Sequence, residues 1–441
     1  MINKKQAILA KNSHLTVDIL KLDRPLKIII IIFLFSIVFI SGLALRLSNF
    51  NPPKRSFDEL IYLKYTKAVY ENGIHATKIN IEEYNSTKKA WIYPSPIRIG
   101  YIYLNSAVMK AARSTDIRIL SYVSSAFSII SLFILVLLGL RFFNPWITLV
   151  ALLFMSVSPM DLAIAMRAWQ DGIIGTSGLL LIYFCCEISE NQKRKIWYIF
   201  FWIVGGYSIL IKESGILIYA LCVIWLIGLA LFKEKSILKI LGITIISSAI
   251  AVLSFFALAS VSGGAQNVIS AINKSLGSIA TNRYNLEYQS GPWYSYFQSL
   301  FILSPVTTLL SGLGMTILAF SVFSNKPITG IKDKRYVFLG LLFFISSSTV
   351  IVIIPKHMIN LRYISVLFVP FYLMSGMGLW YILLFLRSVL KNFLFYISVL
   401  IVVLIVIIIA INNCATFDRI FTKNGITDLS IGLLKKGIAN K

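Results

Sequence analysis

From Ile28 to Leu45 the chain reads IIIIIFLFSIVFISGLAL, with no charged residue between Lys27 and Arg46. At ~1.5 Å per residue, a helix over this run nearly crosses a ~30 Å hydrocarbon core. Comparable apolar runs recur almost to the C-terminus and leave no stretch the size of a separate soluble domain. The 441 residues are 57% hydrophobic and only 14% charged, with a mean hydropathy of +0.80. That combination lies outside the range of ordinary soluble domains, so the expected fold is an all-α polytopic membrane protein.

The formal charge of +24, from 42 Lys and Arg against 18 Asp and Glu, invites a nucleic-acid reading. In a multi-pass protein, excess Lys and Arg instead hold cytoplasmic turns against the inner leaflet, and nucleic acid is excluded as a partner on that ground. Cys185, Cys186 and Cys222 fall in apolar runs and Cys414 stands alone, which indicates neither a disulfide framework nor a metal cluster. His14, His75 and His357 are too scattered to suggest zinc. The first apolar run follows about 27 polar or mixed residues and is too long for a signal-peptide core, so it reads as a first anchor.

Lys4, Lys5, Lys11, Lys21, Arg24 and Lys27 precede that anchor and place the N-terminus in the cytoplasm. Further spans are expected near 118–140, 146–164, 169–187, 196–211, 214–232, 238–260, 296–323, 336–354, 361–386 and 392–412, giving about eleven helices. The third, 146–164, and the fifth, 196–211, are short. Arg141, then Lys193, Arg194 and Lys195, then the FKEK turn, then Lys332, Lys334 and Arg335, then Arg387 and Lys391 all fall on predicted inner turns. The reading divides the chain into a cytoplasmic segment 1–27, a membrane body 28–412 and a short outer tail 413–441. No internal repeat stands out.

Two outer loops are long. In 48–117, Phe57, Leu60, Ile61, Tyr65, Ala68 and Val69 recur at helical spacing and Gly73 suits a C-terminal stop, which predicts an amphipathic helix at the membrane surface. In 261–295, Val268, Ile269, Ile272 and Leu276 share a face ahead of an aromatic cluster containing Trp293. Such aromatics serve an interfacial belt or a platform for sugar rings.

Several ionisable groups are placed where they invite chemistry. Ser56 and Glu59 form an S-x-x-E capping box, with Asp58 at the second helical position. Capping accounts for Glu59; Asp58 fits the helix dipole and also fits a general base. Asp161, Arg167 and Asp171 stand at the outer ends of the third and fourth spans. Arg167 and Asp171, four apart, suit an intrahelical ion pair, or Asp171 shares an outer cavity with Asp58. Lys212 and Glu213 suit a local pair at another outer boundary. Lys356, His357 and Arg362 make an outer turn positive where the topology rule predicts depletion, so an anion is expected there: a phosphate head group on Arg and Lys, or lipid phosphates reached by snorkelling.

In order along the chain, this constellation resembles the GT-C superfamily, in its polyprenyl-phosphate-sugar-dependent branch of protein O-mannosyltransferases and lipid A aminoarabinose transferases. The likeness runs from about Arg46 to Trp380 and rests on the acidic pair Asp58 and Glu59, YPSPIRIGYIYLNSAVM, RILSYVSSAFSII, SPMDLAIAMRAWQDGIIG, LIKESGILI, GPWYSYFQSLFILSP and KHMINLRYISVLFVP. It implies a helical membrane body with juxtamembrane helices, working at the non-cytoplasmic face of the cell membrane. There an inverting glycosyltransferase moves a sugar from a polyprenyl-phosphate donor to an acceptor lipid, glycan or protein. By resemblance, Asp58 takes the acceptor proton, Glu59 supports it and Asp171 organises the centre. Lys356, Arg362, Lys212 and Arg98 are the candidates for donor phosphate, and Tyr93, Arg167, His357 and Trp293 for the cavity wall.

Some relatives carry Arg three residues after the acidic Asp, where this chain has Ile61, and Lys before the next Pro, where it has Ser95; Arg98 is the candidate substitute. No metal motif is visible, and the resemblance is compatible with either no cofactor or a divalent cation. The alternatives are a lipid-linked saccharide flippase, which makes no bond, and a polymerase or ligase using a diphosphate-linked lipid.

Overall fold

A computed structural model gives the structure over residues 24–48, 52–87, 94–279, 281–324, 334–354 and 356–439. The described residues form helices joined by short turns, with one isolated antiparallel bridge, Asn360 to Ser430. Helix α1 (Arg24–Ser48) is followed by α2 (Phe57–Asn72), α3 (His75–Ser86) and α4 (Ile99–Ala112), all three within the first long loop. Next come α5 (Arg118–Phe142), α6 (Pro145–Ser156), α7 (Pro159–Ala165), α8 (Asp171–Glu190), α9 (Lys195–Ile211) and α10 (Ser214–Leu229). Helices α11 (Ile237–Val261), α12 (Ala265–Ser278), α13 (Arg283–Tyr288), α14 (Ser295–Leu303) and α15 (Pro305–Ser324) lead to α16 (Arg335–Ile353). A tight turn, Leu361–Leu367, opens α17 (Phe368–Val389), and α18 (Asn392–Phe417) and α19 (Ile431–Ala439) complete the order.

Among the described residues, nine helices are long and apolar enough to cross a membrane. Helices α6 and α7 together make a tenth span, bent by 56°, and α9 is apolar but shorter. Nine, one and one account for about eleven spans, and the bent and short members are the third and fifth. The bend has a local cause: Ser158 accepts a hydrogen bond from the Asp161 amide at the start of α7, and Pro159 has no N–H to continue α6. The chain is a multi-pass membrane protein. Residues 1–23 of the segment before α1, and Lys332 on the inner turn, lie outside the described residues.

The amphipathic face of α2 departs from expectation. Its buried residues are Glu59, Tyr62, Tyr65, Thr66 and Val69, while Phe57 and Leu60 are exposed. Polar groups turn inward here because guanidinium and amide donors wait for them, described below. Likewise Val268 and Ala271 of α12 are buried and Ile269 and Leu276 exposed.

Two devices hold the bundle. Buried Arg46, at the end of α1, donates to Ser128 Oγ at 2.6 Å, to the carbonyls of Gly42, Ser156 and Met155, and to the Asp161 carboxylate. This spends every part of the guanidinium between α1, α5 and the α6–α7 bend, so Asp161 serves packing. The second device is close helix approach without side chains. A Cβ at Gly314 of α15 would lie 2.0 Å from Met374 O, and one at Gly378 of α17 would lie 2.2 Å from Leu310 O. Small residues let transmembrane backbones approach in this way. Gly378→Ala is expected to lower the thermal midpoint of the detergent-solubilised protein, with overpacking costing about 1–3 kcal/mol. Gly312→Ala, in the same α15 but with nothing within 4 Å of the added carbon, should leave it unchanged.

Candidate active site

The centre lies where the first long loop, the start of α8, the turn before α17 and the C-terminal tail meet. Arg362 is its hub. The side chain sits in the tight turn Leu361–Leu367, whose entry is set by Asn360 accepting from the Arg362 amide at 3.1 Å. Its Nη2 donates to Asp58 Oδ2 at 3.1 Å, across 304 residues of sequence. Its Nε faces Asp171 Oδ2 at 3.9 Å and Asp428 Oδ1 at 3.7 Å. The guanidinium lies 5.2 Å from the Trp169 ring and 5.3 Å from that of Tyr363, so apolar faces close what the carboxylates leave open.

Asp171 is the first residue of α8, where the helix dipole favours an anion. Its Oδ1 accepts from Lys212 Nζ at 2.6 Å, and its buried Oδ2 has no hydrogen-bond partner among the described residues. Lys212 occupies an extended position at the break between α9 and α10, and its ammonium also lies 4.6 Å from the Tyr363 ring. Burial pushes the Lys212 ammonium below its ordinary value, and Asp171 offsets part of that effect.

Glu59 stands apart from Asp58. It is fully buried and accepts from Arg167 Nη1 at 3.0 Å, Arg55 Nη1 at 3.0 Å, the Ala168 amide at 3.0 Å and the Ser56 amide at 2.6 Å. Burial alone would raise its carboxyl, but Arg167, the two amides and Arg55 outweigh it and hold the group below its ordinary value. With every lone pair engaged, Glu59 anchors α2 to the α7–α8 connection. Asp58, one residue earlier and about 100° round the helix, has a side chain 31% exposed and, among the described residues, one hydrogen bond, to Arg362.

The two local pairs suggested by sequence do not form. Arg167 bonds Glu59, the Lys54 carbonyl and the Ile426 carbonyl instead of Asp171, because α7 ends at Ala165 and α8 begins at Asp171, so the four-residue spacing is not helical. Glu213 pairs with Arg98 at 3.0 Å while Lys212 turns to Asp171, because Lys212 is extended and Glu213 already has helical angles, which sends the two side chains apart.

Of the expected phosphate ligands, Arg362 and Lys212 therefore reach the centre. Arg98 is committed to Glu213 and to the Tyr62 hydroxyl. Lys356 is exposed on the turn and makes no side-chain hydrogen bond or ion pair among the described residues, so it does not converge with Arg362. His357 Nδ1 is 2.7 Å from Ser290 Oγ, which ties the turn to the second long loop. Trp293 is exposed, with edge contacts to Tyr294 and Phe297, as an interfacial aromatic would be. Arg167 forms part of the buried wall; Tyr93 lies outside the described residues.

Asp428 was not among the expected residues. The tail after α18 folds back so that its carboxylate is buried against Arg362. A signal for it existed: a turn with surplus positive charge needs a carboxylate, and the tail carries Asp418 and Asp428. The carboxylates of Asp58, Asp171 and Asp428 converge on a guanidinium, and no group of three or more metal-ligating side chains gathers among the described residues.

No protein-family model matches the chain, and no curated protein matches its sequence. Solved structures share its fold. The oligosaccharyltransferase of Archaeoglobus fulgidus in the apo form matches with a TM-score of 0.60 at 11% identity, over 88% of this chain and 56% of that one. The same organism's AglB, in complex with an inhibitory peptide and a dolichol-phosphate, matches with a TM-score of 0.55 at 11% identity, over 88% and 55%. ArnT from Cupriavidus metallidurans, bound to undecaprenyl phosphate, matches with a TM-score of 0.52 at 11% identity, over 95% and 78%. The chain thus spans little more than half the length of the archaeal enzymes.

Glu59→Gln removes one charge from a buried pair and leaves Arg167 uncompensated, which is expected to cost about 3–5 kcal/mol near neutral pH. Because the folded carboxyl is held below its ordinary value of 4.5, its stabilisation is present above that pH and is lost as pH falls through the folded value. Thermal midpoints of parent and variant, measured across pH in detergent, should therefore differ most near pH 7 and converge in acid.

Proposed function

Because the chain carries the fold of the GT-C membrane glycosyltransferases, we propose that it is an inverting glycosyltransferase using a polyprenyl-phosphate-linked sugar at the non-cytoplasmic face of the cell membrane. The observation that carries this reading is the meeting of Asp58, Asp171, Lys212 and Arg362, drawn from distant parts of the sequence into one charged centre. The polyprenyl monophosphates named with AglB and ArnT support the donor class. The acceptor is an alcohol or amine on a lipid, glycan or protein.

Asp58 is the base. It is partly exposed and bound through one contact, so it can turn to an acceptor, whereas buried Glu59 cannot. The acceptor heteroatom gives its proton to Asp58 and bonds to the anomeric carbon as the bond from that carbon to the phosphate oxygen breaks. Attack opposite the leaving phosphate inverts the centre. Negative charge then grows on the departing lipid phosphate, where Arg362 and Lys212 stabilise it. Asp171 holds both cations, through Lys212 at 2.6 Å and Arg362 at 3.9 Å.

Around Arg362, three carboxylates face two cations. A phosphate arriving at Arg362 competes with Asp58, the carboxylate with least to hold it, and so frees the base as the donor binds. Asp58→Asn should lower transfer by at least about 10²-fold while binding undecaprenyl phosphate no less tightly than the parent. Transfer at the parental rate would remove Asp58 as the base. Release of free polyprenyl phosphate by the parent separates transfer from flipping, which yields none.

A further inference from the structure

The tail residue Asp428 is more than a counter-charge. Both its oxygens accept from Asn360 Nδ2, at 2.9 and 2.8 Å; Oδ2 also accepts from the Tyr284 hydroxyl at 2.6 Å, and Oδ1 from the Leu429 amide at 2.8 Å. These donors come from three elements: the turn before Arg362, helix α13 in the second long loop, and the tail itself. The Leu361 amide donates to Leu429 O, Asn360 pairs with Ser430, and Arg167 Nη2 donates to Ile426 O, so the backbone on both sides of Asp428 is fastened as well. Helix α19 follows at once and packs with Leu434 fully buried.

A carboxylate held this way is not a mobile plug. Moving it would strand the donors of Asn360, Tyr284 and Leu429 in a buried place. It places Oδ1 3.7 Å from Arg362 Nε, a charge contact without a hydrogen bond, while Nη2 bonds Asp58 and Nη1 makes no hydrogen bond among the described residues. The Nε side of the guanidinium thus faces a fixed charge, and the edge formed by Nη1 and by Nη2, once Asp58 leaves it, is turned to a ligand. Planar, forked recognition of a phosphate depends on that orientation.

We propose that Asp428 is a positioning residue for the donor phosphate: the folded-back tail fixes the plane of Arg362 so that its open edge meets the lipid phosphate. This rests on the transferase reading above. It assigns the tail a part in donor binding, although Asp428 touches no reacting atom.

The test is a double-mutant cycle on the full chain in detergent, reading undecaprenyl phosphate affinity and the donor KM and kcat separately. Asp428→Asn in the parent should weaken lipid-phosphate binding and raise donor KM, by up to about 10²-fold, with a smaller change in kcat. In an Arg362→Lys background, whose point-like ammonium has no plane to fix, the same change should have little further effect. Equal losses in both backgrounds would make Asp428 a structural clasp and overturn the proposal; so would tighter binding by Asp428→Asn, which is the outcome of simple charge repulsion. If Asp428→Asn fails to fold, Tyr284→Phe keeps the carboxylate and removes one donor. It should raise donor KM a few-fold in the parent and not in the lysine background, and an equal rise in both would overturn the proposal. A parent that binds no undecaprenyl phosphate and transfers no sugar would sink the function itself, whereas a working parent unaffected by Asp428→Asn sinks only this inference.

Discussion

A guanidinium buried among three carboxylates is the interaction on which the charged end of this molecule depends. Removing Arg362 from water is costly unless its charge is matched and its nitrogens are occupied. Asp58, Asp171 and Asp428 match it from the first long loop, the start of α8 and the segment after α18. Arg362 and Lys212 pair with Asp58, Asp171 and Asp428, Arg55 and Arg167 pair with Glu59, and Arg98 pairs with Glu213. Five charges of each sign let the layer be buried, and the buried Asp171 Oδ2 and Arg362 Nε have no hydrogen bonds among the described residues. Such an arrangement is poised for a ligand, since part of its polar capacity is unspent.

The helical body serves this layer by rigidity. Glycine contacts between α15 and α17 fix the helix that follows Arg362, and Arg46 fixes the α6–α7 bend that precedes Asp171. The proposed centre is thus carried on helix ends while its base, Asp58, rides on a loop helix anchored by Glu59. Rigid cations and a less constrained base suit a reaction in which leaving-group charge must be met at a fixed point and the acceptor varies in approach.

Much of the architecture was legible because lipid imposes it: spans must be long, apolar and helical, and nearly all of them fall where the apolar runs stand. The capping box at Ser56 and Glu59 was legible because its chemistry is local. Pairings across helix breaks were not. The spacing of Arg167 and Asp171 and the adjacency of Lys212 and Glu213 argued for local pairs, but the backbone is not helical between them. The positive outer turn did announce that an anion was missing. Read from sequence alone, that anion was a ligand; the folded chain supplies carboxylates of its own, including Asp428 from a tail that carries no local sign of returning. Lys356 shared the same signal yet stays exposed, because the turn becomes buried only from Ile359 onward.

The central claim is that Arg362 receives the donor phosphate in the place where Asp58 now meets it. An electron cryomicroscopy map of the full chain with undecaprenyl phosphate tests it most directly. The account predicts phosphate density within hydrogen-bonding distance of Arg362 and Lys212, with Asp58 turned away toward the open side. Phosphate density at another part of the surface, with the Asp58 to Arg362 pair still closed, would contradict it.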